Sequence, residues 1–423
     1  MQQYSIIIML MAVMLALSVV AERIKIPGPV LLITAGIAIG FIPTLPHVDL
    51  DSEDIFLIFL PPLLHDGAYN ISFKDFKTHI STIGTLAISL VFLTTAGVAV
   101  TAYYLIPGMT WPLAFVLGSI LSSTDAVSAI HIIKGLGLSP KTISILEGES
   151  LLNDASALIA YRFAVACVTG ASFVLWEATY KFLVLLAGGF LVGWVLEKIL
   201  AYILRKVQHN SIVSISYMLL MPFIAYLVAE ELHVSGVIAV VVLGLGISSY
   251  SKRVFPESIK HQSKTFWDII IFLLNGFIFI LIGLQFPYVL ETIRAPYIHV
   301  YLGYAIVITI VVLVIRVVSV FLQRGFQKAF LCGKNHDTHN MLDLNTSLIV
   351  SWAGMRGIVS LATAIGLPYR LNSGEPFPLR TAIIFVSIAV VLLTVIGQGM
   401  PMPWIVRSIY KRNPPPEPPP PDY

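Results

Sequence analysis

Thirteen apolar segments of helical length follow one another along this chain, divided by clusters of Pro, Gly and charged residues. They cover approximately 4–20, 29–41, 54–69, 80–105, 111–133, 142–168, 173–204, 212–228, 234–249, 266–285, 298–321, 346–367 and 381–405. In hydrocarbon every backbone N–H and C=O must find its partner inside the protein, so the expected fold is an all-α polytopic membrane bundle. Hydrophobic residues make up 57% and charged residues 12%, against about 25% charged in an average soluble chain, which excludes a soluble domain. Segments 2 and 9 are short for a bilayer core and are expected to tilt or to extend into their flanks.

Loop charges test this division independently. Of the 26 Lys and Arg, eighteen follow odd-numbered segments and three follow even-numbered ones; Arg162, Arg316 and Arg356 lie inside segments, as do Lys181 and Lys198 in the flanks of segment 7. The bias puts the N-terminus outside and the C-terminus in the cytoplasm. It also explains the pI near 8.7 as topology, so nucleic acid is not an expected partner and membrane lipid is. The first segment opens on MQQ without a positive charge, with Arg23 and Lys25 behind it, which favours a retained helix over a cleaved signal. Residues 414–423 read as a solvated Pro-rich cytoplasmic tail. Cys167 sits in a segment and Cys332 in a cytoplasmic loop, and neither has a spacing that suggests a disulfide framework or a zinc site.

The ionisable residues inside the apolar segments include Asp66, Asp125, Glu147, Glu149, Asp154, Arg162, Arg316 and Arg356. Each costs roughly 2.5 to 3.5 kcal/mol at bilayer depth on insertion scales, so they must neutralise one another or face water and ions. The densest group is EGESLLND, 147–154. At 100° per residue Ser150 and Asp154 share a helix face that also takes in Glu147, whereas Glu149 points about 140° away from Asp154, with Asn153 between. Asp154 is therefore the ion-facing carboxylate and Glu149 a structural one; the rival reading makes Glu149 a second ion ligand. Glu149 and Arg316 both lie roughly 10 Å below the cytoplasmic surface, which allows a buried pair. Arg162 is expected to partner a core carboxylate, Asp268 beside Trp267 to lie in the membrane interface, and His65 and His131 to be packed rather than to ligate a metal.

Segments 5 and 12 are interrupted in corresponding places. One carries Gly118, Ser119, Ser122, Ser123, Thr124 and Asp125 at its centre, the other Ser351, Ala353, Gly354, Arg356 and Gly357. With segment 7 as a connector, segments 1–6 and 8–13 would form two inverted six-helix repeats whose broken helices cross at a midplane site. Small residues also serve close helix packing. An opposite charge in each break favours the functional reading, since Asp125 can offset half-helix N-termini and Arg356 half-helix C-termini.

PPLLHDGAY (61–69), SSTDAVSA (122–129), GESLLNDA (148–155), the lone Arg316 and GMRGIVSLA (354–362), in this order and spacing, resemble the monovalent cation/proton antiporters of the sodium/proton exchanger type. The resemblance runs from about segment 1 to segment 13. It implies one transmembrane exchanger domain, 1–413, that works as a homodimer in the plasma (inner) membrane and serves pH homeostasis. Within it, 80–168 and 298–405 would form a moving core, and 4–69 and 173–285 a scaffold and dimer surface. It further implies an ion site of Asp154, Asn153, Ser150, Asp66 and the backbone near Thr124, with Na+ held by Asp154, Asp66, Ser150 and Thr124. Some members have Glu where this chain has Asp66. Many carry a long regulatory tail, so tail-based regulation is not expected of the short sequence after segment 13.

The chemistry follows from desolvation. A carboxylate deprived of water is stable only when a proton or a counter-ion compensates it, so Asp154 can hold a proton or a cation but not both well. Alternating access of such a site yields exchange. Asn153 in place of a second acid leaves one principal titrating group here, and the resemblance implies one-for-one electroneutral coupling. Oxygen ligands suit a small hard cation, Na+ with Li+. The alternatives are a K+/H+ antiporter and a passive cation channel. An intramembrane protease is disfavoured because no nucleophile–base pair or GxGD motif is present. No cofactor is called for.

Overall fold

The computed structural model describes residues 2–24, 28–42, 52–133, 136–170, 175–293, 297–331, 342–371 and 373–412. Cys332 and the Pro-rich segment 414–423 lie outside these residues. The described residues are built of helices: α1 (Gln2–Ile24), α2 (Gly28–Gly40), α3 (Ser52–Asn70), α4 (Phe73–Leu105), α5 (Trp111–Ser122), α6 (Ala126–Ile133), α7 (Pro140–Val168) and α8 (Leu175–Val207), followed by α9 (Ser211–Glu231), α10 (Gly236–Val254), α11 (Glu257–Thr292), α12 (Ile298–Leu331), α13 (Leu344–Trp352), α14 (Ile358–Ile365), α15 (Arg380–Thr394) and α16 (Met402–Arg412). Eight helical stretches among the described residues are long and apolar enough to cross a membrane, including 380–411, which runs from α15 into α16. The fold class is that of an integral helical membrane protein.

Sequence chemistry sets the helix starts. Ser139, Asn210, Ser235 and Asp343 each accept from a backbone N–H of the first turn of α7, α9, α10 and α13, satisfying donors that a helix cannot pair internally. Segments 5 and 12 are each split in two, at Ser123–Asp125 and at Ala353–Gly357. Segments 10 and 11 extend well beyond their apolar stretches, because the polar flanks Glu257–Thr265 and Gln323–Leu331 continue the helix.

Segment 13 is one helical stretch, as the sequence leads one to expect, but not a uniform one. After α15 the chain forms a π-turn over Val395–Gly399 and then the short helix α16. Gly397, Gly399, Pro401 and Pro403 are poor helix formers in close succession, and they account for the irregularity.

Where the bundle is tightest, glycine is required. Gly36 of α2 and Gly283 of α11 face each other so closely that a Cβ on Gly283 would stand 2.7 Å from the Gly36 Cα and 2.8 Å from the Ile37 nitrogen. Small-residue contacts of this kind let two membrane helices approach backbone to backbone. Gly303 in α12 has nothing within 4 Å of such a Cβ. Gly283→Ala is therefore expected to destabilise the detergent-solubilised protein by about 1 to 3 kcal/mol, whereas Gly303→Ala should leave its melting temperature unchanged or raise it. Equal behaviour of the two variants in thermal unfolding would contradict this packing.

Candidate functional site

The two interruptions touch. The Asp125 N–H donates to the Met355 carbonyl at 2.8 Å, and Arg356 Nη1 donates to the carbonyls of Ser122 and Ser123, each at 3.0 Å. Arg356 thus caps the C-terminal end of α5, where carbonyls lack helical partners. Asp125 sits at the start of α6 and accepts from the Ser128 N–H at 2.9 Å and the Ser128 hydroxyl at 2.6 Å, the arrangement of a helix N-cap. Gly357 packs against the Asp125 side chain with no room for a Cβ. Arg356 is fully buried, and its Nε and Nη2 have no hydrogen-bond partner.

α7 runs past this crossing. Asp154 Oδ1 accepts from the Ser123 hydroxyl at 2.5 Å. One turn earlier the Ser150 hydroxyl donates to the Thr124 carbonyl at 2.6 Å and accepts from the Ala126 N–H at 3.3 Å. Asp154, Ser150 and Thr124 are therefore brought together around one break. The Thr124 hydroxyl is buried without a partner, and Asn153 is fully buried with neither amide atom bonded.

Asp66 stands apart from this group. It is partly exposed on α3, accepts from Asn70 Nδ2 at 3.0 Å, and has Asp268 and Glu147 as electrostatic neighbours. Among the described residues no hydrogen bond links it to Ser150, Thr124 or Asp154. Glu147 shares this more open region, facing Asp66 and Lys252. Asp268 is exposed beside the buried Trp267. His65 is fully buried with neither ring nitrogen bonded, and it packs on Trp267 and Tyr69 at ring-centroid distances of 5.0 and 6.0 Å. The His131 side chain lies outside the described residues.

Glu149 and Arg316 are both 1% exposed and form a bidentate pair, Nη1 to Oε1 at 2.7 Å and Nη2 to Oε2 at 3.0 Å. Arg316 does more than the sequence foretold: its Nε donates to the Val350 carbonyl at 2.9 Å, and the guanidinium lies against Gly354 where a side chain would overlap it. It therefore ties α7, α12 and the end of α13 together. Arg162 does not meet a core carboxylate. It pairs with Glu230 Oε2 at 2.8 Å and the Tyr226 hydroxyl at 3.2 Å, both on α9 and with Arg162 and Glu230 partly exposed. Arg162 lies eight residues after Asp154, about 12 Å further along α7, which carries it away from the crossing.

Sequence reasoning also missed the polar groups of α15 and its π-turn. Thr394 Oγ1 accepts from the Arg356 N–H at 3.2 Å, and Gln398 and Trp352 bond each other reciprocally. A Thr and a Gln in a stretch, 390–399, otherwise made of Val, Leu, Ile and Gly were the available signal.

An integral membrane bundle with two interrupted helices in mutual contact, a carboxylate beside the break and a buried Glu–Arg pair is the architecture of a transporter class. The chain belongs to the sodium/hydrogen exchanger family, whose transmembrane model matches residues 8–408. It is 33% identical over 391 residues to the sodium, potassium, lithium and rubidium/H+ antiporter of Bacillus pumilus, covering 89% of this chain and 57% of that one. An uncharacterized Na+/H+ exchanger of Mycobacterium tuberculosis is 34% identical over 418 residues, 95% of this chain and 74% of that one. The fold matches the solved structure of the sodium proton antiporter MjNhaP1 from Methanocaldococcus jannaschii with a TM-score of 0.73 at 22% identity, over 97% of this chain and 99% of that one.

Removing one partner of a buried ion pair strands the other charge, at a cost of roughly 3 to 5 kcal/mol. Glu149→Ala and Arg316→Ala are each expected to lower thermal stability in detergent by that order, Arg316→Ala more because the Val350 carbonyl is also left unpaired. The double variant should lose clearly less than the two losses added together. Full additivity in the thermal unfolding of all three variants would show that the two residues act independently.

Proposed function

We propose that this chain is a secondary active antiporter that exchanges a monovalent cation for a proton by alternating access. One observation carries the reading: a carboxylate, Asp154, lies beside the Ser150 hydroxyl and the Thr124 carbonyl at the contact of two interrupted helices within a membrane bundle. In that setting a proton and a cation compete for the same oxygens. When Asp154 is protonated, it needs no counter-ion and the site can reorient. When a cation enters, the proton leaves, and the oxygens of Asp154, Ser150 and the Thr124 backbone replace part of the cation's hydration.

Asp66 and Asn153 complete the proposed site. Asp66 would join through water or a change of α3 relative to α7, since its hydrogen bond in this structure goes to Asn70. Asn153 supplies a buried amide with no competing partner. Asp125 and Arg356 compensate the charge of the interrupted helix ends, while Glu149 is structural because both of its oxygens are engaged by Arg316. Residues 80–168 and 298–405 would move as a core against a scaffold of 4–69 and 173–285. We further propose a homodimer in the plasma (inner) membrane, with the N-terminus outside and the C-terminus in the cytoplasm, as the Lys and Arg distribution favours.

The proposed cargo is Na+, with Li+ also accepted, because a compact set of hard oxygens suits small cations. K+ is the second reading, supported by the Bacillus pumilus relative, a sodium, potassium, lithium and rubidium/H+ antiporter. In proteoliposomes carrying a pH gradient, addition of Na+ or Li+ should dissipate the gradient at lower concentrations than K+. Asp154→Asn should abolish that response in folded protein; near-normal exchange by the purified variant would overturn the assignment.

Asn153 beside Asp154 leaves one principal titrating group at this position of α7, so exchange should be one-for-one. Clamping the membrane potential with K+ and valinomycin at several values should leave the rate of Na+-driven proton movement unchanged. A strong dependence on the clamp would establish an electrogenic ratio instead.

A further inference from the structure

The π-turn Val395–Gly399 lies along the interruption of segment 12. Gln398, 1% exposed, donates from Nε2 to the Trp352 carbonyl at 2.9 Å, and Trp352 Nε1 donates to the Gln398 carbonyl at 3.1 Å. A carbonyl can only accept, so the orientation of the amide is fixed by this contact, and its Oε1 is buried without a partner. Trp352 is the last residue of α13, so its carbonyl is one that the helix cannot pair. Two further contacts follow the same line: Thr394 Oγ1 receives the Arg356 N–H, and Gly399 borders the Met355 sulfur closely enough that a Cβ would stand 3.2 Å from it. A π-turn inserts a wider turn into a helix and is found mostly where function needs a displaced backbone group.

We infer that Gln398 and Trp352 form a clasp that positions the cation site. The path is short. The clasp fixes Trp352, the chain from Trp352 to Arg356 presents the Met355 carbonyl, that carbonyl holds the Asp125 N–H, and the same rigid peptide unit carries the Thr124 carbonyl. Gln398 is a positioning residue that touches no transported ion; it sets where the Thr124 carbonyl stands relative to Ser150 and Asp154. This inference rests on the cation-site reading given above.

The test uses Gln398→Met, which keeps side-chain length and removes an amide whose oxygen has no partner, and Trp352→Phe, which keeps an aromatic ring and removes the N–H. In proteoliposomes each variant is expected to raise the KM for Na+ about fivefold, the worth of one hydrogen bond, while the maximal rate changes by less than about twofold. Because the two bonds close one clasp, the double variant should raise KM by less than the product of the two single effects. A contact that merely supports the fold would lower the melting temperature and the amount of active protein and leave KM alone. Unchanged KM in both single variants, or KM effects that multiply in full, would overturn the clasp. If one variant fails to fold, KM in the other still decides. Asp154→Asn in the same vesicles separates the two claims: retained exchange there overturns the cation-site reading, whereas lost exchange there with unchanged KM in the clasp variants overturns the clasp alone.

Discussion

Breaking a helix inside a membrane leaves carbonyls at one end and N–H groups at the other with no water to pair them, each costing several kcal/mol. Everything distinctive in this molecule follows from how those groups are satisfied. The end of α5 is met by Arg356 on the Ser122 and Ser123 carbonyls, and the start of α6 by Asp125 on the Ser128 N–H and by Ser150 on the Ala126 N–H. Between them the Asp125 N–H reaches the Met355 carbonyl of the other broken segment. Each break thus supplies the groups that the other lacks, and neither could exist alone.

The second break is held from further out. Arg316 takes the Val350 carbonyl and Gln398 takes that of Trp352, so α12 and the π-turn share the unpaired end of α13. The Glu149–Arg316 pair is costly to bury, yet it lets a charged guanidinium reach a backbone carbonyl without leaving an uncompensated charge. Gly354 gives that guanidinium its room. The same economy leaves a few groups open: Asn153, the Thr124 hydroxyl and two nitrogens of Arg356 are buried without partners, close to the carboxylate of Asp154 in sequence or electrostatically. A site that must exchange a proton for a cation needs groups that are not all committed.

Much of this was legible because bilayer physics leaves few options. Apolar runs of bilayer length can only be helices, and residues such as Ser122–Asp125 and Ala353–Gly357 announce a break because they combine small side chains with a charge. Helical periodicity sufficed to turn Glu149 and Asp154 to different sides of α7. What could not be read was any pairing that depends on the mutual rotation of helices distant in sequence. Arg162 reaches α9 and not a core carboxylate for this reason, and Asp66 bonds Asn70, one turn along its own helix. The π-turn after Thr394 leaves no such trace: Val395, Ile396 and Gly397 continue an apolar run, and periodicity does not register one added residue per turn. Gln398 is a lone polar side chain in that run, and nothing in the sequence ties it to Trp352 on α13.

The central claim is that a proton and a cation compete for one carboxylate at the crossing of the broken helices. It is tested most directly by the KM for Na+, measured in proteoliposomes as a function of pH on the side to which Na+ is added. Competition predicts a KM that rises toward about tenfold per unit as pH falls below the titration range of the site, with a maximal rate reached at every pH once Na+ is raised enough. A KM that stays constant while the maximal rate falls would mean that proton and cation occupy separate sites, and would contradict the account.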